Sequence, residues 1–172
     1  MLGATVGGGS AHPRRRLRRR APTAMREERA AGPRLFRVIL PVADIERAAR
    51  FYGRVLGTAG RRVSPGRHYF DCGGTILACF DPRSDGDGYE PSPNPEHLYF
   101  AVADLDATFE AARAAGARFP PGAIHGDRAG GIALRPWGER SFYADDPFGN
   151  RLCFVDAATT FTGAGAPDPG RV

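Results

Sequence analysis

Three cysteines, four histidines and a set of aromatic rings are the side chains through which this 172-residue chain could do chemistry. Cys72, Cys79 and Cys153 have no CxxC spacing and are odd in number. That pattern points to free thiols in a reducing compartment rather than to a disulfide or zinc framework. His97 heads an apolar run, His-Leu-Tyr-Phe-Ala-Val-Ala-Asp. An imidazole there titrates near neutral pH and could serve as a general acid or base, or simply hydrogen-bond to Tyr99, Cys153 or backbone. Strand alternation along the run sends Leu98, Phe100 and Val102 to one face and His97, Tyr99 and Ala101 to the other. Near the C-terminus, Leu152 and Phe154 separate in the same way from Cys153, which reads either as an activated thiolate or as a small apolar filler. Tyr69, Phe70, Tyr99, Trp137, Phe142 and Tyr143 offer ring surface for a core or for a planar ligand in a concavity. Asp85-Gly86-Asp87-Gly88 lacks the spaced oxygens and closing glutamate of a calcium loop and reads as plain loop.

These residues belong to a chain that repeats itself. Residues 37–44, Arg-Val-Ile-Leu-Pro-Val-Ala-Asp, match residues 97–104 at a spacing of 60. The ends of the units match as well: Gly74-Thr-Ile-Leu-Ala-Cys-Phe-Asp81 against Gly149-Asn-Arg-Leu-Cys-Phe-Val-Asp156. A duplicated unit implies a pseudo-symmetric fold with equivalent positions in each half. The first unit predicts a strand over 36–42, an N-cap at Asp44 and a helix presenting Ile45, Ala48, Ala49, Tyr52 and Leu56, ended by Gly57. Strands near 61–63, 68–72 and 75–80 follow, the last two joined by Gly73-Gly74. The second unit predicts a strand over 97–103, an N-cap at Asp104 and a helix with Leu105, Thr108, Phe109 and Ala112 inward, ended by Gly116. Its later strands fall near 118–119 or 132–135, then 140–144 and 151–155. Asp146-Pro147-Phe148-Gly149-Asn150 forms the last turn.

Composition sets the boundaries. Residues 1–34 hold nine arginines and two acids; the remainder holds 15 arginines and 17 acids, so the high pI belongs to the tail. The tail has no apolar period and reads as disordered. Met25 offers a second start. A nucleic-acid arm at Arg14–Arg20 is weighed against a solvated tail and set aside. The folded part is placed at 35–156, with modules at 35–91 and 96–156 and a turn-rich linker over 82–96. Residues 157–172 read as a flexible tail. No apolar run approaches a membrane span, and no secretory signal follows the basic start.

A βαβββ unit occurring twice, with Phe51-Tyr-Gly-Arg-Val-Leu-Gly57 after the first strand and Ser141-Phe-Tyr-Ala-Asp-Asp-Pro-Phe-Gly-Asn150 near the end, resembles the vicinal oxygen chelate superfamily. That is the glyoxalase, bleomycin-resistance and extradiol-dioxygenase group. The resemblance covers about Leu35 to Asp156. It implies an α+β fold in which two tandem modules curve their mixed sheets into a cup, with helices outside. Metal-dependent members place ligands on the first and last strand of each module, and here those positions read Arg37, Ala78, His97 and Cys153.

That quartet departs from the His, Gln and Glu set a divalent ion needs. Ala78 offers no donor and Arg37 is a permanent cation, so a metal is disfavoured and no cofactor is expected. Arg37 reads as a fork for an anionic group, as one half of an internal ion pair, or as a residue at the wet rim. The expected ligand set is Arg37, His97, Tyr99, Trp137, Tyr143 and Cys153, with His97 the candidate catalytic residue. The expected function is binding of a small aromatic or anionic molecule in a metal-free cup. The alternative is a lyase, isomerase or dioxygenase-like enzyme using His97 with Arg37 or Cys153, with or without a divalent metal. A homodimer in the cytoplasm is expected, since short modules leave sheet edges that want partners.

Overall fold

Asp44 and Asp104 start the two helices, and each does so in the same way. The Asp44 carboxylate accepts from the Arg47 backbone N–H at 2.9 Å, and Asp104 accepts from that of Ala107 at 2.9 Å, filling donors the first helical turn leaves open. These contacts come from a computed structural model, which describes residue 3, residues 33–120 and residues 130–163. The expectations for the basic tail, and those for residues 164–172, lie outside the described residues. The described residues from Leu35 onward form one compact unit.

The first module comprises β1 (Arg37–Pro41), α1 (Ile45–Val55), β2 (Arg61–Ser64), β3 (Arg67–Cys72) and β4 (Thr75–Phe80). The second comprises β5 (Leu98–Val102), α2 (Leu105–Ala114), β6 (Ala133–Leu134), β7 (Arg140–Asp145) and β8 (Arg151–Asp156). Each builds a four-stranded mixed sheet, ordered β1-β4-β3-β2 and β5-β8-β7-β6, with the first strand parallel to the last. The α+β architecture of two tandem βαβββ modules is therefore as the repeat predicts. Both suggested positions for the second module's second strand contribute: Arg118 bridges Asp145, and β6 pairs with β7.

Alternation holds on every long strand. Leu40, Phe70, Leu77, Cys79, Phe142, Leu152 and Phe154 enter one core shared by both modules, together with α1 and α2. The buried face of α1 is Ile45, Ala48, Phe51, Tyr52 and Val55. Phe51 and Val55 are thus buried where Ala49 and Leu56 were expected; Leu56 still packs against the core from its margin, so the inward face of the helix is turned toward Phe51 and Val55. On α2 only Leu105 and Ala112 are fully enclosed, while Phe109 packs edge-on against Phe142 with ring centroids 5.1 Å apart.

A polar joint ties the modules together. Asp146 is fully buried, and its Oδ2 accepts from the Tyr52 hydroxyl at 2.7 Å and from Asn150 Nδ2 at 2.8 Å. Its Oδ1 accepts from the backbone N–H groups of Phe148 and Asn150, both at 2.8 Å. Asn150 Nδ2 also donates to the Pro41 carbonyl at 2.8 Å, and Asn94 Nδ2 donates to the Ile39 carbonyl at 3.2 Å. A buried carboxyl group is tolerated only when its lone pairs are filled, and here they are. Burial, with Asp146 alongside, holds the Tyr52 phenol well above its ordinary pKa, so it remains a donor.

Each module is also latched by the chain that follows its last strand. Asp85 accepts from the Ser64 hydroxyl and from Arg67 Nε at 2.6 Å, fastening the β2–β3 turn. After β8, a 3-10 turn at Ala157–Thr159 leads to Phe161, whose N–H donates to Glu139 at 2.9 Å. The described residues after Asp156, where fraying was expected, thus remain tied to the start of β7 at Thr159 and to the β6–β7 turn at Phe161. Among the described residues, no helix is long and apolar enough to cross a membrane.

Candidate ligand site

The face of the second sheet turned away from the helices carries His97, Tyr99, Ser141, Tyr143, Cys153 and Val155. Tyr143, Cys153 and Val155 form a small buried cluster of their own, apart from the main core. His97 meets the Tyr143 ring edge-on, with centroids 4.9 Å apart. Tyr99 stands at 87° to Tyr143 and 65° to His97, both at 6.5 Å. Tyr99 is 59% exposed and Tyr143 only 6%. His97 and Tyr99 also line a cavity of about 380 Å³, shared with Val38 and Leu77 of the first module.

The residue that sequence reasoning missed is Arg135. It is buried, its guanidinium lies 4.9 Å from the Tyr143 ring centroid, and it donates through Nε to the Ser141 hydroxyl and through Nη2 to the Ser141 carbonyl, both at 2.9 Å. The turn Arg135-Pro136-Trp137-Gly138-Glu139 makes this possible. Arg135 N–H donates to the Glu139 carbonyl at 2.7 Å, and Gly138 takes φ 96°, which favours glycine. The signal was present in the alternation of Glu139, Ser141 and Tyr143, which share a parity with the expected inner residues.

Trp137 reaches this neighbourhood through Glu139, to which its indole Nε1 donates at 2.7 Å. Arg37 lies on β1 of the other sheet, with its guanidinium 4.9 Å from the Tyr69 ring and 5.2 Å from that of Phe36. No acidic partner meets it among the described residues, and its side chain sits at the exposed rim. The structure brings His97, Tyr99, Tyr143 and Cys153 together and attaches Trp137 through a carboxylate, while Arg37 contacts Phe36 and Tyr69 of the first module.

Burial sets the protonation of the group. It lowers the His97 pKa, with the Arg151 charge adding to the effect, so the imidazole is neutral at pH 7. It raises the Tyr143 phenol, with Tyr99 and Cys153 alongside, and pushes the Cys153 thiol up to about 12. Cys153 thus stays a protonated thiol rather than a nucleophile. The Tyr143 hydroxyl is buried and meets no partner with hydrogen-bond geometry, although Tyr99 and Cys153 lie beside it.

The metal positions of the family do not fit an ion here. Ala78 sits between Tyr69 and Ile39 in the sheet register with no donor atom. His68 cannot complete the set, because it faces the core side beside Phe70, 4.9 Å between centroids, with Nε2 2.8 Å from the Ala59 carbonyl. No group of three or more His, Cys, Asp or Glu side chains could hold a metal among the described residues. Cys79 lies in the main core and Cys72 at the end of β3.

Paired βαβββ modules with an aromatic inner face define the class, and comparison with known proteins agrees. The profile of the Glyoxalase/Bleomycin resistance protein/Dioxygenase superfamily matches residues 34–154, and the chain belongs to this superfamily. Among solved structures it is similar to a glyoxalase-related enzyme from Fulvimarina pelagi, at 22% identity over 72% of this chain and 87% of that one, TM-score 0.57. It is similar to the oxidase ChaP-H2 at 25% identity over 73% and 94%, TM-score 0.57. It is also similar to lactoylglutathione lyase from Agrobacterium tumefaciens at 21% identity over 73% and 96%, TM-score 0.55. No curated protein sequence matches the chain significantly. At these identities the likeness speaks for the fold, which hosts several chemistries.

Proposed function

We propose that this protein binds a small, planar aromatic or anionic organic molecule against the inner face of its second sheet, without a resident metal, and works as a homodimer in the cytoplasm. The observation that carries this reading is the Tyr143 hydroxyl, buried without a well-formed hydrogen bond beside the rings of His97 and Tyr99 and above the buried Arg135 guanidinium. A buried polar group left unsatisfied costs on the order of 1–3 kcal/mol, and a ligand oxygen would recover it. Neutral phenol and thiol donors over a fixed cation suit an oxygen that carries negative charge.

A second reading, a lyase, isomerase or dioxygenase-like enzyme, is favoured by one feature: His97 is a free base at neutral pH next to a phenolic donor. Cys153 is a poor second partner because its thiol is protonated, and Arg37 would have to act from the other sheet.

The test is calorimetric titration of the purified full chain with 2-naphthoate and, separately, 2-naphthol, alongside elemental analysis. Stoichiometric binding that prefers the carboxylate and weakens about tenfold in Tyr143→Phe, the value of one hydrogen bond, is the expected result. Absence of saturable binding to either probe would sink the binding reading. Stoichiometric zinc, iron, nickel or manganese in protein purified without chelator would overturn its metal-free part.

A further inference from the structure

The solvent side of α1 carries three exposed arginines, Arg47, Arg50 and Arg54, spaced three and four residues apart. That spacing lines them up along one side of the helix, over a rise of about 10 Å. Like charges so placed repel one another and weaken a helix, and neighbouring acids ordinarily relieve them. Here the acids are spent elsewhere. Glu46, the one acid on α1, accepts from Arg62. Asp44 gives its carboxylate to the Arg47 backbone N–H as the helix cap. Among the described residues none of the three guanidiniums meets a carboxylate or donates a hydrogen bond, and Arg47 lies 5.7 Å from the Phe148 ring centroid. Two cavities adjoin this row. One of about 150 Å³ is walled by the three arginines with Phe51, Ala115 and Pro147. The other, of about 270 Å³, is walled by Pro41, Pro91, Pro93, Pro147 and Phe148. Arg47 and Pro147 line both, so a cationic cavity and an apolar one meet.

We propose that this groove binds a phosphorylated organic molecule, its phosphate among Arg47, Arg50 and Arg54 and its apolar part against Phe148 in the proline-walled cavity. The guanidinium fork matches phosphate oxygens in pairs, and a dianion cancels the repulsion that the three side chains otherwise bear. The prolines bring no N–H groups, so the second cavity selects by shape and apolarity. Its floor is held in place from below, because the Phe148 N–H donates to the buried Asp146 at 2.8 Å. The groove shares no residue with the aromatic site of the second sheet, and its occupation does not depend on what that site binds.

The test is calorimetric titration of the full chain with phenyl phosphate, phenol and inorganic phosphate in turn, with Trp137 emission followed alongside. Phenyl phosphate is expected to bind once per chain, more tightly than either of the others, and to weaken as salt rises. It should leave the emission of Trp137, which lies by the second-sheet site, unchanged. Arg50→Gln and Arg54→Gln, both at exposed positions, should each weaken binding about tenfold, the value of one charge-assisted hydrogen bond, while Arg61→Gln on β2 should leave it as it was. Circular dichroism checks the fold of each variant, and the salt and emission measurements on the unaltered chain decide the matter if one fails to fold. Phenol binding as tightly as phenyl phosphate overturns the phosphate as the anchor, and inorganic phosphate binding as tightly overturns the apolar half. Emission that changes in step with binding, or indifference to both α1 variants, overturns the groove as the site. An equal loss in Arg61→Gln overturns it in favour of diffuse charge. A short DNA duplex that binds far more tightly than phenyl phosphate, and loses this in the α1 variants, overturns the small molecule as occupant.

Discussion

The two modules are built to one plan and differ in what they do with their inner faces. Both follow their first strand with an aspartate-capped helix, and in both an aspartate at the end of the last strand caps the next turn: Asp81 accepts from Arg83 N–H at 3.1 Å and Asp156 from Ala158 N–H at 3.0 Å. Both are latched by the segment beyond. The polarity of the latch is reversed, however. In the first module the carboxylate of Asp85 comes from the trailing segment and seizes the β2–β3 turn. In the second, Glu139 sits in the β6–β7 turn and receives Trp137 and Phe161. The first module uses its arginines for structure: Arg67 pairs with Asp85 and lies 4.1 Å from the Phe80 ring centroid. The second buries Arg135 beneath a tyrosine whose hydroxyl lacks a well-formed hydrogen bond. One scaffold thus occurs twice with different side chains on its two inner faces.

The comparison can be broken most severely at the joint. Asp146→Ala leaves the Tyr52 hydroxyl, two backbone amides and the Asn150 side chain short of an acceptor. A loss of about 3 kcal/mol in unfolding free energy is expected from urea titration. Tyr52→Phe removes one of those bonds and should cost about 1 kcal/mol. Equal, negligible effects from both would mean that the modules are held by apolar packing alone.

Glu139→Ala tests the second latch. It removes the acceptor of the Trp137 indole N–H and of the Phe161 amide, with an expected cost of about 1–2 kcal/mol. The chain has a single tryptophan, so its emission should shift to the red as the indole loses its carboxylate. An unchanged spectrum would place Trp137 elsewhere.

Asp85→Asn tests the first latch and should act less. Hydrogen bonds from Ser64 and Arg67 hold the Asp85 carboxyl below its usual range. A carboxyl depressed on folding stabilises above its unfolded pKa of about 3.9, and that contribution is lost as pH falls through the folded value. The variant should therefore be less sensitive to acid below about pH 4 than the parent, as read from thermal melts across pH.

His97→Gln is the mildest change. The His97 pKa is lowered on folding, so the unfolded chain binds the proton more tightly. Stability should decline as pH drops below about 6.5, and the variant should flatten that part of the profile. A parent profile already flat there would remove the burial argument for a neutral imidazole.

Much of this architecture was legible because its signals are local. Caps, glycine stops and strand parity each lie within a few residues, and the repeat doubled every one of them. The same parity separates Cys153 from Leu152 and Phe154, and it could also have excluded His68, which shares its side with Phe70. What escaped depends on distance in the chain. Tyr52 and Asp146 are 94 residues apart, and nothing in either segment announces the bond. Arg135 looked like the end of a strand, and only the tight return from Pro136 to Glu139 folds it under Tyr143. The rings that Arg37 meets, Phe36 and Tyr69, belong to its own module, and the sequence pattern did not announce them.

The Asp146 joint also bears on how the protein responds to being cut. A protease that nicks the exposed stretch between Gly86 and Pro91 would sever the covalent thread between halves while leaving the tyrosine-to-carboxylate bolt and the common apolar interior engaged. The nicked protein should run as one particle in native conditions and as two bands in detergent, and neither half should hold its shape when made alone.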